Sequence, residues 1–523
     1  MKCPTACSVS RTSLVVLSAI LLIFSFPGFN IWILAWIALV PLFFAVENQK
    51  PLKAFLISYL TGFLFFLGTV YWLIHVTLPG MIIAAAYLAL YFGCFGLIIR
   101  CADGYSARYA ALVFFPAAWV TLEWIRSHAL TGFGWQLLGY SQSFNPPVIQ
   151  IADISGVYGV SFLIVMFNAA IFMFIKNFRK KEDFYIPLAM SAILMCAVLG
   201  YGYYRLNNVF TGEKLKVAIV QGNIPQDEKW DRRFADIIMS KYEALTKEAA
   251  KEKADLVIWP ETSVPGFVEN EKNLFDRVKN LVVEIDTPLL LGAPRREETE
   301  KQDIYFNSAY LFLKDGGIQD RYDKIHLVPF GEYLPFKDAL SFVHRLARRP
   351  IGDFIAGKEF TIFRFFARRS TKDKNYSFNL SKRIGFSTLI CFEDIFPDLT
   401  REFVKKNSGF LVNITNDGWF GRSAAAYQHA QNSIFRAVEN RINVIRAANT
   451  GLSCFIDQKG RVIGKVSSAN KDLFVEGFKV HEIILSRTRT IYNIYGDILA
   501  YLCMLVTVFG IARFLWYRKE LSR

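Results

Sequence analysis

Eight stretches of this chain stay apolar for close to the length that crosses a bilayer as a helix, about 20 residues. They are Thr12–Pro27, Ile31–Val46, Ala54–Val76, Met81–Ile99, Tyr109–Ile125, Val157–Ile175, Tyr185–Tyr204 and Ile498–Trp516. Inside a bilayer every backbone polar group must be satisfied within the protein, so such runs commit the chain to helices. The first two are short and meet at Pro27-Gly28, which suits a tilted hairpin or a partly re-entrant pair. The first, behind Lys2 and Arg11, has the layout of a secretory signal, but no small-x-small cleavage pattern follows and further spans do. It is expected to be retained.

Composition agrees: 53% of residues are hydrophobic and 15% aromatic, too apolar for an ordinary soluble protein. The net charge of +15 would suit nucleic acid, yet much of the Lys and Arg lies in short runs flanking apolar stretches, and no nucleic-acid motif is present. Those runs fall in alternate connections: Lys50 and Lys53, Arg100 and Arg108, then Lys176, Arg179, Lys180 and Lys181, and finally Arg518, Lys519 and Arg523. The positive-inside rule then places both termini in the cytoplasm and the region between spans seven and eight on the opposite side. The uncharged connection Leu130–Gln136 with Asn145-Pro146-Pro147 reads as an interfacial anchor or one wall of a lipid entrance.

This divides the chain into a seven-span bundle (1–205), an exported region (206–488) and a final helix with a cytoplasmic tail (489–523). In the exported region Lys216–Gln221, Asp255–Trp259, Pro288–Gly292, Ser308–Leu313, Ile384–Ile390 and Phe410–Thr415 read as strands, several of them continuous apolar runs that suit a buried sheet. Asp231–Lys251, Asn273–Glu284 and Gln428–Asn440 read as amphipathic helices, which makes one α/β domain.

The chemistry concentrates in Thr388-Leu389-Ile390-Cys391-Phe392-Glu393-Asp394, an apolar run ending in a thiol and two carboxylates, with Pro397 opening a helix just beyond. The layout is a strand-to-helix elbow that presents Cys391. A free thiol has a pKa of about 8.5, so a cysteine nucleophile needs a neighbouring base or cation. Glu261 in Trp259-Pro260-Glu261-Thr262 supplies a base, and Lys324 in Tyr322–Glu332 a cation. A disulfide between Cys391 and Cys454 is conceivable in an oxidising compartment, but it would consume the nucleophile; both thiols are expected free. No zinc-type cysteine spacing is present in the sequence.

The three stretches, in this order, resemble the Glu-Lys-Cys triad of the nitrilase (carbon-nitrogen hydrolase) superfamily. The resemblance implies an αββα sandwich beside the helical bundle of about eight spans, with Glu261 as proton shuttle, Lys324 as oxyanion cation and Cys391 as nucleophile. It gives Glu332 the part of a second glutamate supporting the lysine, and it leaves Phe392 and Glu393 as supporting residues. The backbone N–H of Phe392 is an oxyanion donor by its position. Asn416–Gly421, His429, Arg436, Glu439, Arg446 and Asn449-Thr450-Gly451 continue the pattern; His429 reads as structural or helix-surface, and Trp419 as a substrate-contacting wall.

A nitrilase domain enclosed by seven spans and one is narrower still, and is similar to the bacterial apolipoprotein N-acyltransferases. Val220–Gln226 with Trp230 resembles the opening of that family's exported domain, and Trp230 joins Trp419 as a substrate contact. Phe392 stands where some members carry tyrosine, which removes a hydroxyl. The implied reaction is ping-pong acyl transfer in a bacterial inner membrane, from a glycerophospholipid to the α-amine of a diacylglyceryl-modified apolipoprotein. Neither metal nor organic cofactor is called for.

Two other readings share parts of this pattern. A membrane-tethered amidase or nitrilase would use the triad on a small soluble substrate but leaves the spans unexplained. A transporter or receptor with an exported binding domain would carry paired ionisable residues at mid-membrane, of which Glu123 near a span end is the main trace. The long irregular stretch 336–374, with Phe342, Phe354 and Phe363 among Arg345, Arg348 and Arg349, reads as a lid or as a solvated insertion.

Overall fold

The computed structural model describes residues 10–100, 110–178, 185–300, 302–335, 352–367, 383–485 and 488–521. The chain separates into two compact units, Met1–Asn207 with Tyr495–Arg523, and Asn208–Ile494.

The first unit is helical. Five of its helices are long and apolar enough to cross a membrane: Pro51–Thr69, Leu78–Arg100, Ala152–Phe178, Ile186–Asn207 and Ile498–Tyr517. Among the described residues the expected count of eight is thus not confirmed by length and composition. Ala111–His128 is an 18-residue helix, but it carries Glu123, Arg126 and His128. The first run forms only 14 residues of helix, Arg11–Phe24. The second is broken into a 3-10 turn at Trp32–Trp36 and a short helix at Val40–Val46. Buried Asn168 mends that break: its carboxamide accepts from Leu39 N at 2.8 Å and donates to Ala35 O at 2.9 Å, so the freed backbone groups keep partners away from water.

The uncharged connection after His128 folds partly into the protein, with Leu130 exposed and Trp135 buried. Trp135 is 2% exposed and packs on Trp72 with ring centroids 5.2 Å apart. The buried charges of Ala111–His128 hold this inward loop, with Glu123 Oε1 accepting from Leu138 N at 2.6 Å and Arg126 Nη1 donating to Trp135 O at 2.8 Å. Polar side chains of this helix therefore satisfy irregular backbone buried in protein.

The second unit holds two six-stranded sheets. The first contains β1 (Glu213–Gln221), β2 (Leu256–Ile258), β3 (Leu289–Glu298), β4 (Asp303–Phe312), β5 (Ile318–Asp323) and β12 (Gly477–Leu485), in the order β12-β1-β2-β3-β4-β5. The second contains β6 (Phe363–Phe365), β7 (Ile384–Ile390), β8 (Leu411–Thr415), β9 (Val444–Ala448), β10 (Cys454–Ile456) and β11 (Val462–Lys465), in the order β11-β10-β9-β8-β7-β6. In each sheet three central strands run parallel, β1-β2-β3 and β7-β8-β9, and antiparallel strands close both flanks.

The parallel centre explains why those strands read as unbroken apolar runs: both faces are covered. β1 meets β9 and β4 meets β7 between the sheets, while Ala235–Ala250 lies on the first sheet and Ala425–Asn440 on the second. The layering is helix, sheet, sheet, helix. Of the residues expected to form a lid, most lie outside the described ones. Phe363 is in β6, fully buried and stacked on Phe386, so it is a core residue rather than a membrane-seeking one.

Candidate active site

β7 runs buried from Ile384 to Ile390 and stops at Cys391, whose backbone adopts φ 55°. A side chain there is strained, and such strain persists only where the surroundings over-determine it. Glu393 does this from two residues on. Its buried carboxylate accepts from Ile390 N at 2.7 Å, and from Tyr322 O–H, Ile325 N and His326 N at 2.7, 2.7 and 3.0 Å. One side chain thus ties the cysteine turn to the loop after β5. Burial pushes the Glu393 carboxyl up to about 7 against the pull of these donors. Pro397 at the first turn of Pro397–Lys405 then starts the expected helix.

The loop after β5 carries Lys324, 1% exposed. Its Nζ lies 2.8 Å from Glu332 Oε2 and 4.0 Å from Glu261 Oε1. Burial works to neutralise this lysine, but Glu332 and Glu261 outweigh it and hold the ammonium above its ordinary value. Glu332 also accepts from Val328 N at 2.7 Å and from Asn307 Nδ2 at 2.8 Å, so it is a fixed partner of the lysine and no solvated turn residue. Asn307 Nδ2 donates equally to Glu261 Oε1, at 2.7 Å.

Glu261 follows the short strand β2 in a turn where Thr262 takes φ 44°. The structure thus brings together the three residues read as catalytic, with Glu332 and Glu393 supporting them. The thiol is 8% exposed, and burial together with the Glu261 charge pushes its titration up although Lys324 pulls it down. At rest Cys391 is a thiol, free of any disulfide, and Cys454 is likewise free and buried.

Behind the turn lies a second ionic cluster. His429 is 1% exposed, with Nδ1 2.8 Å from Asp417 Oδ1 and Nε2 3.0 Å from Asp394 Oδ1 and 3.2 Å from the Cys391 carbonyl. Acceptors on both sides require a proton on each nitrogen, and the ring is held above its ordinary value by the two aspartates, against burial and Arg446. Arg446 bridges the same aspartates, at 3.1 Å each. His429 is therefore structural, as expected, but in the core and not on a helix surface. Asn413 Nδ2 adds a donor to the Cys391 carbonyl at 3.0 Å.

Phe392 is half-buried against Phe396, with ring centroids 5.4 Å apart. Of the two tryptophans read as substrate contacts, Trp419 is half-buried in the turn after β8, and Trp230 is 52% exposed. Beside it, Lys229 is 3% exposed and donates from Nζ to the Glu261 carbonyl at 2.8 Å. Lys229, Asn307 and Asn413 escaped the sequence reading. Asn413 alone had a signal: it is a polar residue among the apolar residues of β8.

Residues 18–170 match the family description "Apolipoprotein N-acyltransferase N-terminal domain", and residues 216–489 match "Carbon-nitrogen hydrolase". The apolipoprotein N-acyltransferase of Geobacter metallireducens is 40% identical over 504 residues, covering 94% of this chain and 92% of that protein. The chain belongs to the apolipoprotein N-acyltransferase family. A second member, from Chlorobaculum tepidum, is 30% identical over 518 residues, covering 94% of this chain and 93% of its own. The apolipoprotein N-acyltransferase of Haemophilus influenzae is 29% identical over 529 residues, with coverages of 97% and 95%. As a member of this family the chain is a membrane-embedded N-acyltransferase whose enzymatic unit has the nitrilase fold.

Proposed function

We propose that this N-acyltransferase takes a fatty acyl chain from a membrane glycerophospholipid onto Cys391. It then delivers the chain to the α-amine of an S-diacylglyceryl cysteine at the N-terminus of an apolipoprotein, on the outer side of a bacterial inner membrane. The observation that carries the reading is the placement of Glu261 and Lys324 around a buried thiol held in a left-handed turn.

Because burial keeps Cys391 protonated, attack and deprotonation go together. The Cys391 proton passes to the Glu261 carboxylate as sulfur bonds to the ester carbonyl carbon. The oxyanion that forms is stabilised by the Lys324 ammonium, a charge that acts at full strength in a site this dry. The ester C–O bond then breaks, Glu261 returns the proton to the departing oxygen, and a lysophospholipid leaves the thioester behind.

In the second half the incoming amine attacks the thioester carbonyl and gives its proton to Glu261. The C–S bond breaks, and the proton returns to sulfur. An α-amine titrates at about 7.7–8.0, so a fair fraction arrives neutral near pH 7. Two lipid-anchored substrates confined to one layer meet at raised effective concentration, which gives the apolar helices a purpose beyond anchoring.

Mass spectrometry of the purified enzyme incubated with phospholipid alone tests this directly. Acyl mass on Cys391, discharged by a diacylglyceryl lipopeptide and absent from Cys391→Ala, is expected. A wild-type enzyme that transfers acyl chains while Cys391 never carries one would sink the thioester route.

A further inference from the structure

The loop after β1 turns one side chain inward. Asn449 pins it, accepting from Ile224 N at 2.9 Å and donating to Ile224 O at 2.8 Å, and Asn416 Nδ2 donates to Gln226 Oε1 at 2.7 Å. With the loop fixed, Trp230 stands in solvent and Lys229 enters the protein. Burying an ammonium is costly unless its charge is matched. Yet the Lys229 Nζ has no carboxylate oxygen within 4.0 Å among the described residues, and its one side-chain hydrogen bond goes to a neutral backbone carbonyl, that of Glu261.

The titratable groups that face Lys229 are the Glu261 carboxylate, from the turn after β2, and the Cys391 thiol, from the end of β7. Asp227, Glu228 and Asp231 flank it on its own loop, and Lys324 stands beyond Glu261. The cluster behind the elbow is balanced without it, Asp394 and Asp417 against Arg446 and protonated His429. In front, Lys324 is already claimed by Glu332 at 2.8 Å. The negative charge on Glu261 leaves the carboxylate as it takes the thiol proton, passes through sulfur to the oxyanion, and is back on the carboxylate once the ester bond has broken. No second cation for that charge is needed if Lys229 holds it.

We infer that Lys229 is a positioning residue of the acyl-transfer centre: it clamps the Glu261 carbonyl, and its ammonium supplies the positive charge against which the Glu261–Cys391 pair exchanges its proton. Lys324 is then left to serve the oxyanion and Glu332. Burial lowers the Lys229 ammonium to about 8, against the pull of Glu261 and Cys391, so its charge is present at neutral pH and fades above it. The inference rests on the thioester reading for its place in the cycle, but thiol reactivity reports on it independently.

The test uses full-length enzyme in detergent, with Lys229→Met and Lys229→Arg variants. The readouts are the rate of Cys391 alkylation by iodoacetamide and the rate of acyl-enzyme formation from phospholipid, each across pH. Removing the charge should slow both at neutral pH by about tenfold or more, the equivalent of one pKa unit or more on the thiol. Arginine, which keeps its charge at every accessible pH, should restore alkylation to within a few fold of wild type. It should also carry acyl-enzyme formation past the wild-type decline above about pH 8.

Wild-type alkylation rates in Lys229→Met would overturn the inference. If that variant does not fold, the arginine variant decides alone, and an alkaline limb unmoved from wild type would overturn it equally. Loss of acyl-enzyme in wild type itself would instead count against the thioester reading, since alkylation needs no lipid.

Discussion

Lys324 Nζ lies 2.8 Å from Glu332 Oε2, with both groups shielded from water. The lysine proposed to serve the oxyanion is thereby anchored by a carboxylate. Replacing Glu332 with Gln removes the nearest countercharge of a buried ammonium while keeping shape. We expect acyl-enzyme formation to fall by about 10- to 100-fold, the weight of one to two pKa units on the lysine's field. Asn307→Leu should do comparable harm by leaving an oxygen on each of Glu261 and Glu332 without its donor. Single-turnover acylation followed by mass spectrometry reads both, and wild-type rates in Glu332→Gln would break the link.

Gly292 in β3 lies under the Glu261 turn. A Cβ there would meet Thr262 N at 2.6 Å, Glu261 Cα at 2.7 Å and Pro260 O at 2.8 Å, all of them backbone or backbone-bonded atoms that cannot rotate away. Gly292→Ala therefore has to displace Glu261. Overpacking of this kind costs about 1–3 kcal/mol. The activity loss should exceed what that predicts for the folded fraction, with acyl transfer down at least about tenfold in protein that still purifies as a single species. Undiminished turnover in that variant would show the turn to be slack.

Asp417 is held down to about 2 by Arg446 and His429 despite its burial, against an ordinary value of 3.8. A carboxylate whose folded value is depressed adds stability above its unfolded pKa and loses it as pH falls through the folded one. The window is therefore from about pH 4 to about pH 2, and the contribution about 2 kcal/mol. Thermal unfolding of the detergent-solubilised enzyme should steepen in its pH dependence across that window. Asp417→Asn should be less stable at neutral pH and flatter in acid. Parallel acid profiles for the two proteins would contradict the assignment.

Topology is tested by chemistry at the surface of the second unit. A cysteine placed at exposed Lys253 should react with a membrane-impermeant thiol reagent from the outer side of sealed inner-membrane spheroplasts. Reaction only after the cytoplasmic face is opened would reverse the proposed orientation.

Largely apolar runs such as Ile384–Ile390 and Phe410–Thr415 announced their strands because parallel strands are buried on both faces. Of the antiparallel flanks only β4 was read, from Ser308 onward, and the others were silent. β5 reads Ile-Gln-Asp-Arg-Tyr-Asp and β11 is largely exposed, so neither carries an apolar run, and β12 mixes lysine and glutamate with its apolar positions. The triad and Glu332 were legible because each sits in a compact local motif. Asn307 and Lys229 were not, since what makes them part of the site is a partner 46 or 32 residues away. Most spans were legible as helices, and the broken second run was not. Length alone could not reveal that Asn168 lets the second run break, or that Arg126 draws a loop inward.

The pairing of β1 with β12 joins the first strand of the second unit to its last, with Glu213 opposite Leu485 at the end where the chain enters and leaves. Antiparallel partners stand about 5 Å apart, so the two ends of some 270 residues emerge side by side. A module closed on itself in this way behaves as a cassette. Its own hydrogen-bond ladder offsets the entropy of bringing its ends together. Such a module transfers between hosts more readily than one whose ends lie far apart, and it tolerates excision for the same reason. Tying its two ends with a short turn would give a soluble test piece in which the thiol chemistry is studied without lipid.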